Sequence, residues 1–251
     1  MRFTVLAALA GLASIALTGC QTPDQKQSAS ASRAKKAAQL AHKTFRAQPD
    51  WNKDTYRNEA LIAKATAKNA RVEISINQQR GILLVDNQIA MDFPVATGRP
   101  TYPTPTGNFS IREKKPTHAS NLYGKLYNAE GKLIDSDADT RTMIIPEGGR
   151  FEGSTMPHWM RLNDSGVGMH IGHVPGGRPA SHGCIRLRSQ TAQTLYNLLP
   201  VSTPVTVSYG MPALGDGDAK PTPQVAPRPV KIVPIARPAQ TEQKADTPDA
   251  I

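Results

Sequence analysis

Cysteine is nearly absent from this chain of 251 residues, which carries two, Cys20 and Cys184. So few thiols exclude a disulfide-stapled scaffold. Neither a Cys-x-x-Cys pair nor a His-Glu-x-x-His run occurs, so the familiar zinc spacings are missing as well. Aromatic residues make up only 5% of the chain. None interleaves with basic residues as on a nucleic-acid-binding surface, and the net charge of +10 therefore does not mark a nucleic-acid partner. The apolar run Phe3 to Leu17 is too short to cross a bilayer as a permanent helix.

That short run has the form of an export signal. Arg2 supplies the positive start, and the run ends at Leu17-Thr18-Gly19-Cys20, which resembles a bacterial lipobox. The resemblance implies cleavage before Cys20 and a lipid on its thiol, with roughly 0.8 kcal/mol of membrane affinity per buried methylene. A plain secretory signal cut nearby is the alternative. Residues 1–19 are thus expected to be a lipoprotein signal peptide, and the mature protein to lie outside the cytoplasm, lipid-anchored to the envelope on the periplasmic face of the inner or outer membrane. Such a compartment favours disulfides, yet Cys184 has no partner. An unpaired thiol there is a candidate for use.

Composition then divides the rest. Residues 20–70 read as a lipidated N-terminus and basic spacer: Ser28 to Gln48 has no acidic residue and few large apolar ones, so it forms helix locally without burying a core. A solvated tether is expected, with Tyr56 to Lys68 a better helix that docks on the domain edge. Residues 210–251 contain Pro212, Pro221, Pro223, Pro227, Pro229, Pro234, Pro238 and Pro248, the pattern of a disordered, partly polyproline tail. Its partner is not legible.

Residues 71–209 are the right size for one domain. Val72, Ile74 and Ile76 alternate with polar residues. Gln78-Gln79-Arg80-Gly81 then turns the chain into Ile82 to Val85, and Asp86-Asn87 turns it again into a strand placing Ile89, Met91 and Phe93 on one face. Thr142 to Ile145 and Gly166 to Met169 are short apolar runs that suit buried strands, and Val205 and Val207 alternate in a closing strand. One helix is expected after Cys184, capped by Ser189, with Ala192, Leu195, Tyr196 and Leu199 as its apolar stripe and Pro200 as its stop. The expected fold is mainly β, a sandwich or partly closed barrel with that helix packed behind the cysteine loop.

The chemistry gathers in Ser181-His182-Gly183-Cys184-Ile185-Arg186-Leu187. A thiol attacks a carbonyl only as thiolate and needs a base or a positive charge beside it. His170 closes an apolar run a short loop upstream, and His173 lies close to it; the former is favoured as base because of that position. Gly183 allows close backbone approach, and the amides of His182, Gly183 and Cys184 suit an oxyanion. A zinc set of His170, His173, His182 and Cys184 is the competing reading, but the thiol-nucleophile reading explains the same residues without a metal or cofactor. Met156 and Trp159 suit core or rim packing, and His118 and His158 the surface.

Together with Gly168-Met169-His170, this run resembles the catalytic motif of the L,D-transpeptidase (YkuD-type) family. The Pro-Val-x-x-Gly element at Pro94, the Thr-Pro-x-Gly-x-Phe element at Thr104, Met156 to Met160, and Thr203-Pro204-Val205 extend the likeness over nearly the whole folded unit. The resemblance implies a cysteine acyltransferase acting on peptidoglycan stem peptides. Cys184 would be the nucleophile, His170 the base oriented by the Ile171 carbonyl, and His182 and Gly183 part of the oxyanion hole; Arg186, Trp159 and Ser181 are candidate substrate contacts. It implies 3→3 cross-linking, release of D-alanine, and sensitivity to carbapenems. Water, a lipoprotein lysine or a free D-amino acid are alternative acyl acceptors, and a non-catalytic wall-binding lipoprotein is the reading from another class. One departure from the pattern is Ile171, where many members have glycine or serine; a backbone carbonyl is available from any residue.

Overall fold

A computed structural model describes residues 22–215; Cys20, the apolar leader and residues 216–251 lie outside the described residues. The first element is α1 (Pro23–Arg46), opened by a capping box in which Thr22 and Gln25 satisfy each other's orphan amides, with Pro23 just inside. It ends at Ala47. Most of α1 stands in solvent, but its last turns turn His42 and Phe45 inward. Among the described residues no helix is long and apolar enough to cross a membrane.

The core also begins earlier than the composition suggests. Tyr56–Arg57 is a short strand, β1, and Glu59–Ile62 a one-turn helix, α2, capped by Asn58, from which Leu61 and Ile62 join the main core. There is no longer helix over Tyr56 to Lys68. A meander of β2 (Ala70–Ser75), β3 (Arg80–Val85) and β4 (Gln88–Ala96) follows. Asp86 and Asn87, at φ 50° and 57°, supply the paired left-handed residues that a tight hairpin turn requires. A register shift at Leu83/Leu84 breaks the expected single face of β4. Met91 and Phe93 enter the main core, while Ile89 crosses to a second cluster with Ile82, Leu84 and Met211. One extra residue in a ladder reverses every side chain beyond it.

Thereafter come β5 (Gly107–Ser110), β6 (Glu113–Lys115), β7 (Ala119–Tyr127), β8 (Leu133–Asp139), β9 (Arg150–Thr155), β10 (Trp159–Arg161), β11 (Gly168–Ile171), β12 (Ile185–Leu187), α3 (Ser189–Leu198) and β13 (Pro204–Ser208). Ten strands form one curled sheet in the order β5-β13-β2-β3-β4-β12-β11-β10-β6, with β1 paired on β4. Against it α3 buries Ala192 and Leu195 beside Val72, Ile74, Met169 and Leu187. Each such side chain contributes roughly 1.5–3 kcal/mol on burial. The fold is therefore mainly β, a partly closed barrel with one helix packed after Cys184. The N-cap of α3 is Arg188, not Ser189, and no side chain caps it.

Between β6 and β10 the chain builds a separate three-stranded sheet, β8-β7-β9. The run Thr142 to Ile145 sits just outside it and is not a buried strand: it turns on the surface, with Ile144 and Ile145 63% and 46% exposed. After β13 the chain stays ordered through a 3₁₀ turn at Pro212–Leu214, behind the buried Met211.

Asp92 ties α1 to the sheet. Its carboxylate is wholly buried and meets Arg80 at 2.7 Å, Arg46 at 2.6 Å and His42 at 2.8 Å. Burial alone would raise this carboxyl, but the hydrogen bond from His42 and the charges of Arg80 and Arg46 outweigh it and hold it below its ordinary range. Arg80 also donates to the carbonyls of Trp51, Asn52 and Asp54, which fastens the α1–β1 loop over the same spot.

Candidate active site

β11 and β12 are neighbouring parallel strands, with Met169 opposite Ile185 and His170 opposite Arg186. Opposed residues point to the same side of a sheet, and side chains alternate along each strand. Met169, Ile185 and Leu187 face the core. The other face therefore holds His170 and Arg186, and Cys184 lies one residue before β12, its thiol 3.7 Å from the Gly166 carbonyl oxygen. Parallel pairing demands a crossover, which here is the loop from Gly172, turning at Gly176 and Gly177 with φ of 76° and 67°.

Hydrogen bonds fix the end of that loop. The amides of Ala180 and Ser181 donate to the Thr97 carbonyl at 2.9 and 3.0 Å, and the Arg99 amide donates to the Ser181 carbonyl at 2.9 Å. Thr104 is the clamp: its hydroxyl accepts from the Gly98 amide and donates to the Gly183 carbonyl, both at 2.8 Å. Gly183 has φ 110°, a conformation closed to ordinary side chains. At Gly98 a Cβ would stand 2.0 Å from the Tyr102 carbonyl oxygen, so the two segments meet backbone to backbone.

His170 is buried, and its Nδ1 lies 2.8 Å from the Ile171 carbonyl oxygen. A carbonyl only accepts, so Nδ1 carries the proton and Nε2 presents a lone pair. Burial pushes this imidazole down to about 4, although the Ile171 carbonyl works in the opposite direction. Burial also pushes the Cys184 thiol above its ordinary value, opposed by the Gly168 amide and by Arg186. Near neutral pH the resting pair is therefore a thiol and a neutral imidazole. His173 is exposed.

Side chains distant in sequence wall the site. His182 stacks on Tyr123 from β7 with ring centroids 4.2 Å apart and touches Tyr102 at 4.5 Å. Its Nε2 accepts a hydrogen bond from Arg99 and lies 3.3 Å from Asp137 of β8. Burial lowers the His182 pKa, the nearby Asp137 notwithstanding. A neutral ring protonated on Nδ1 fits that contact, because arginine can only donate.

Two predicted substrate contacts change role. Trp159 is 1% exposed and packs beneath Gly168, its ring 5.9 Å from that of His170, so it supports that imidazole from the core side and has almost no surface to offer a substrate. Ser181 is also buried; its hydroxyl accepts from the Gly183 amide at 3.1 Å and donates to the Cys184 carbonyl at 2.5 Å. It staples the loop. That bond also engages the Gly183 amide, which the sequence had offered to an oxyanion. Arg186 lays its alkyl chain over Gly172, while its guanidinium makes no hydrogen bond or ion pair to protein among the described residues. His118 packs on Trp159, and His158 on Tyr196. Sequence reasoning missed Arg99, Tyr102, Thr104, Tyr123 and Asp137. The first three follow the Pro-Val-x-x-Gly element closely enough to have been suspected; the last two lie on the unforeseen small sheet.

Three comparisons bear on this geometry. The YkuD family, described as the L,D-transpeptidase catalytic domain, matches residues 69–207, more than half of the chain. A probable L,D-transpeptidase 3 of Mycobacterium tuberculosis is 28% identical over 120 residues, 45% of this chain and 37% of that protein. A putative L,D-transpeptidase YqjB of Bacillus subtilis is 28% identical over 133 residues, 50% of this chain and 64% of that protein. The chain thus spans less than two thirds of either curated relative. A solved L,D-transpeptidase from Mycobacterium smegmatis is 24% identical, with 56% of this chain and 58% of that one covered and a TM-score of 0.43.

Proposed function

The chain belongs to the YkuD family of L,D-transpeptidase catalytic domains, and from that premise we propose that it is a peptidoglycan L,D-transpeptidase working through a Cys184 acyl-enzyme. The observation that supports this most directly is the pairing of β11 and β12, which puts His170 opposite Arg186 and Cys184 just before β12, with the His170 Nδ1 on the Ile171 carbonyl so that Nε2 is left as a base.

In the proposed reaction His170 Nε2 takes the thiol proton as Cys184 Sγ attacks the carbonyl carbon of the third stem residue. A C–S bond forms and the carbonyl oxygen gains the negative charge, which we assign to the backbone amides of His182 and Cys184, the Gly183 amide being engaged by Ser181. Collapse breaks the C–N bond, and the imidazolium returns its proton to the departing amine of D-alanine. An amine of a second stem then attacks the thioester, giving the 3→3 link and restoring the thiol. Arg186, half-buried and with no hydrogen bond or ion pair to protein among the described residues, is assigned to a stem carboxylate, which its planar fork matches.

Incubation with tetrapeptide-bearing muropeptides is the test. Wild type should release D-alanine and form 3→3 dimers, and Cys184→Ala should do neither; identical products from both would end the proposal. Water, a lipoprotein lysine and free D-amino acids are acceptors that the same product analysis separates. A carbapenem should acylate Cys184 through its strained carbonyl, read as an adduct in a mass spectrum. We further propose that the protein is exported and lipid-anchored through Cys20, which Leu17-Thr18-Gly19-Cys20 supports. Cys20→Ser should then abolish fatty-acid labelling.

A further inference from the structure

Two guanidinium groups lie on the thiol side, Arg186 beside the thiol and Arg99 on the neighbouring His182, and neither is matched as arginines beside a buried site usually are. Arg186 has no protein hydrogen bond or ion pair among the described residues. Arg99 directs both terminal nitrogens, each at 2.9 Å, onto the single oxygen Oδ2 of Asp137. One of those nitrogens also donates to His182, and the Arg99 Nε is buried with no hydrogen-bond partner among the described residues. A guanidinium fork is made for two carboxylate oxygens in parallel, so the Asp137 contact uses the fork incompletely.

The origin of that aspartate matters. Asp137 is half-exposed and belongs to β8, on the small sheet whose strands pair only with one another. That sheet meets the thiol side at Asp137 and at Tyr123, through His182. Arg99 and Asp137 both act electrostatically on Arg186, and Arg186 on the thiol, so the charges form one strip beside the nucleophile.

We propose that Arg99 binds a carboxylate of the acyl donor, and that Asp137 is a resident carboxylate which the donor's own displaces. The proposal rests on the acyl-donor reading above and adds a specificity residue to it. The exchange is carboxylate for carboxylate at one guanidinium, so no uncompensated charge is left in the wall. Asp137 already has one side in water and loses little on release. Donor entry then also frees the β8 edge from its contact with Arg99. The residues on either side of the scissile bond offer two sources of carboxylate, the C-terminus of the departing residue and the side chain of the third residue.

Binding measured without turnover tests this. In the full chain carrying Cys184→Ala, the Kd of a stem tetrapeptide is measured by calorimetry for the free acid, for its C-terminal carboxamide and for its third-residue side-chain carboxamide. The free acid should bind about tenfold more tightly than an amide that masks a carboxylate held by a guanidinium, as expected for a charge-assisted pair, and the discriminating amide, which identifies the source at Arg99, is the one whose Kd Arg99→Gln does not change. Adding Arg99→Gln should weaken the free acid about tenfold, leave the discriminating amide unchanged, and be partly reversed by Arg99→Lys. Adding Asp137→Asn should tighten the free acid about two- to fivefold, the worth of an exposed ion pair. Equal weakening of acid and amides by Arg99→Gln would make Arg99 structural and overturn the inference. Weaker binding with Asp137→Asn, at an unchanged melting temperature, would overturn the placeholder. Loss of the acyl-transfer reading shows elsewhere, as wild type and Cys184→Ala giving the same muropeptide products.

Discussion

Replacing His170 by asparagine should remove a defined part of the acid sensitivity of folding. In the unfolded chain an imidazole titrates near 6.5, whereas burial holds His170 at about 4 in the native state. Between those values the unfolded state binds a proton that the native state refuses. The folded-state value is depressed, so stability is complete above about 6.5 and falls as the pH falls towards 4. Each pH unit inside the window is worth about 1.4 kcal/mol. A move from about pH 7 to about pH 4.5 should therefore cost the wild type about 2 kcal/mol through this residue alone. Asparagine suits the comparison because its side-chain amide can still donate to the Ile171 carbonyl, as Nδ1 does now. Asp92 and the other depressed carboxylates lose stability in the same acid range in both proteins, and cancel in the difference. Urea unfolding of each protein at the two pH values measures it. The wild type should lose about 2 kcal/mol more than His170→Asn; parallel losses, within about 0.5 kcal/mol, would refute a neutral buried imidazole and with it the free Nε2 lone pair.

Other expectations concern the same loop and its supports. Because burial raises the Cys184 thiol, alkylation by iodoacetamide should climb about tenfold per pH unit between about pH 6 and 8; a plateau there would mean a stable thiolate–imidazolium pair instead. Thr104→Val removes the clamp between the Gly98 amide and the Gly183 carbonyl, and should cost about 1–3 kcal/mol in urea unfolding, with Thr104→Ser recovering most of it. Full stability in Thr104→Val would show the clamp to be dispensable. Asp92→Asn strands Arg80, Arg46 and His42 beside a neutral amide and should cost about 3–5 kcal/mol. It should also expose α1 to trypsin after Arg46, and an unaltered digestion pattern would show that something else holds the helix.

Parts of this molecule are legible in the sequence where the signal is local. Val72 and Ile74, the Asp86-Asn87 turn and the stripe from Ala192 to Leu199 each declare a period or a turn within a few residues, and each lies in the matching element. The shift at Leu83/Leu84 is not local: nothing in Ile89-Ala90-Met91 shows that its neighbour slips by one, so Ile89 was assigned to the wrong face. The small sheet escaped for a related reason. β8 is largely exposed, β7 partly buried, and neither carries much apolar alternation, so their pairing, not burial, defines them. Thr142 to Ile145 shows the converse, since an apolar run compels burial only when a partner face exists to receive it.

The same distinction explains what the cysteine motif conveys and what it hides. Ser181, Gly183 and Thr104 are tied together by hydrogen bonds that set the backbone from which Cys184 projects. A motif read as chemistry assigns them chemical roles, although much of its constraint is mechanical. Gly183 could not carry a side chain at φ 110° whatever reaction occurred beside it. The groups packed on His182, Asp137 and Tyr123, sit on a sheet that the motif does not touch in sequence. A sheet that pairs only with itself can change without disturbing the ladder that carries His170 and runs on from Cys184. In the proposed reaction such a division keeps the reacting pair at rigid strands and puts discrimination among donors on the small sheet, where the Asp137→Asn measurement looks for it.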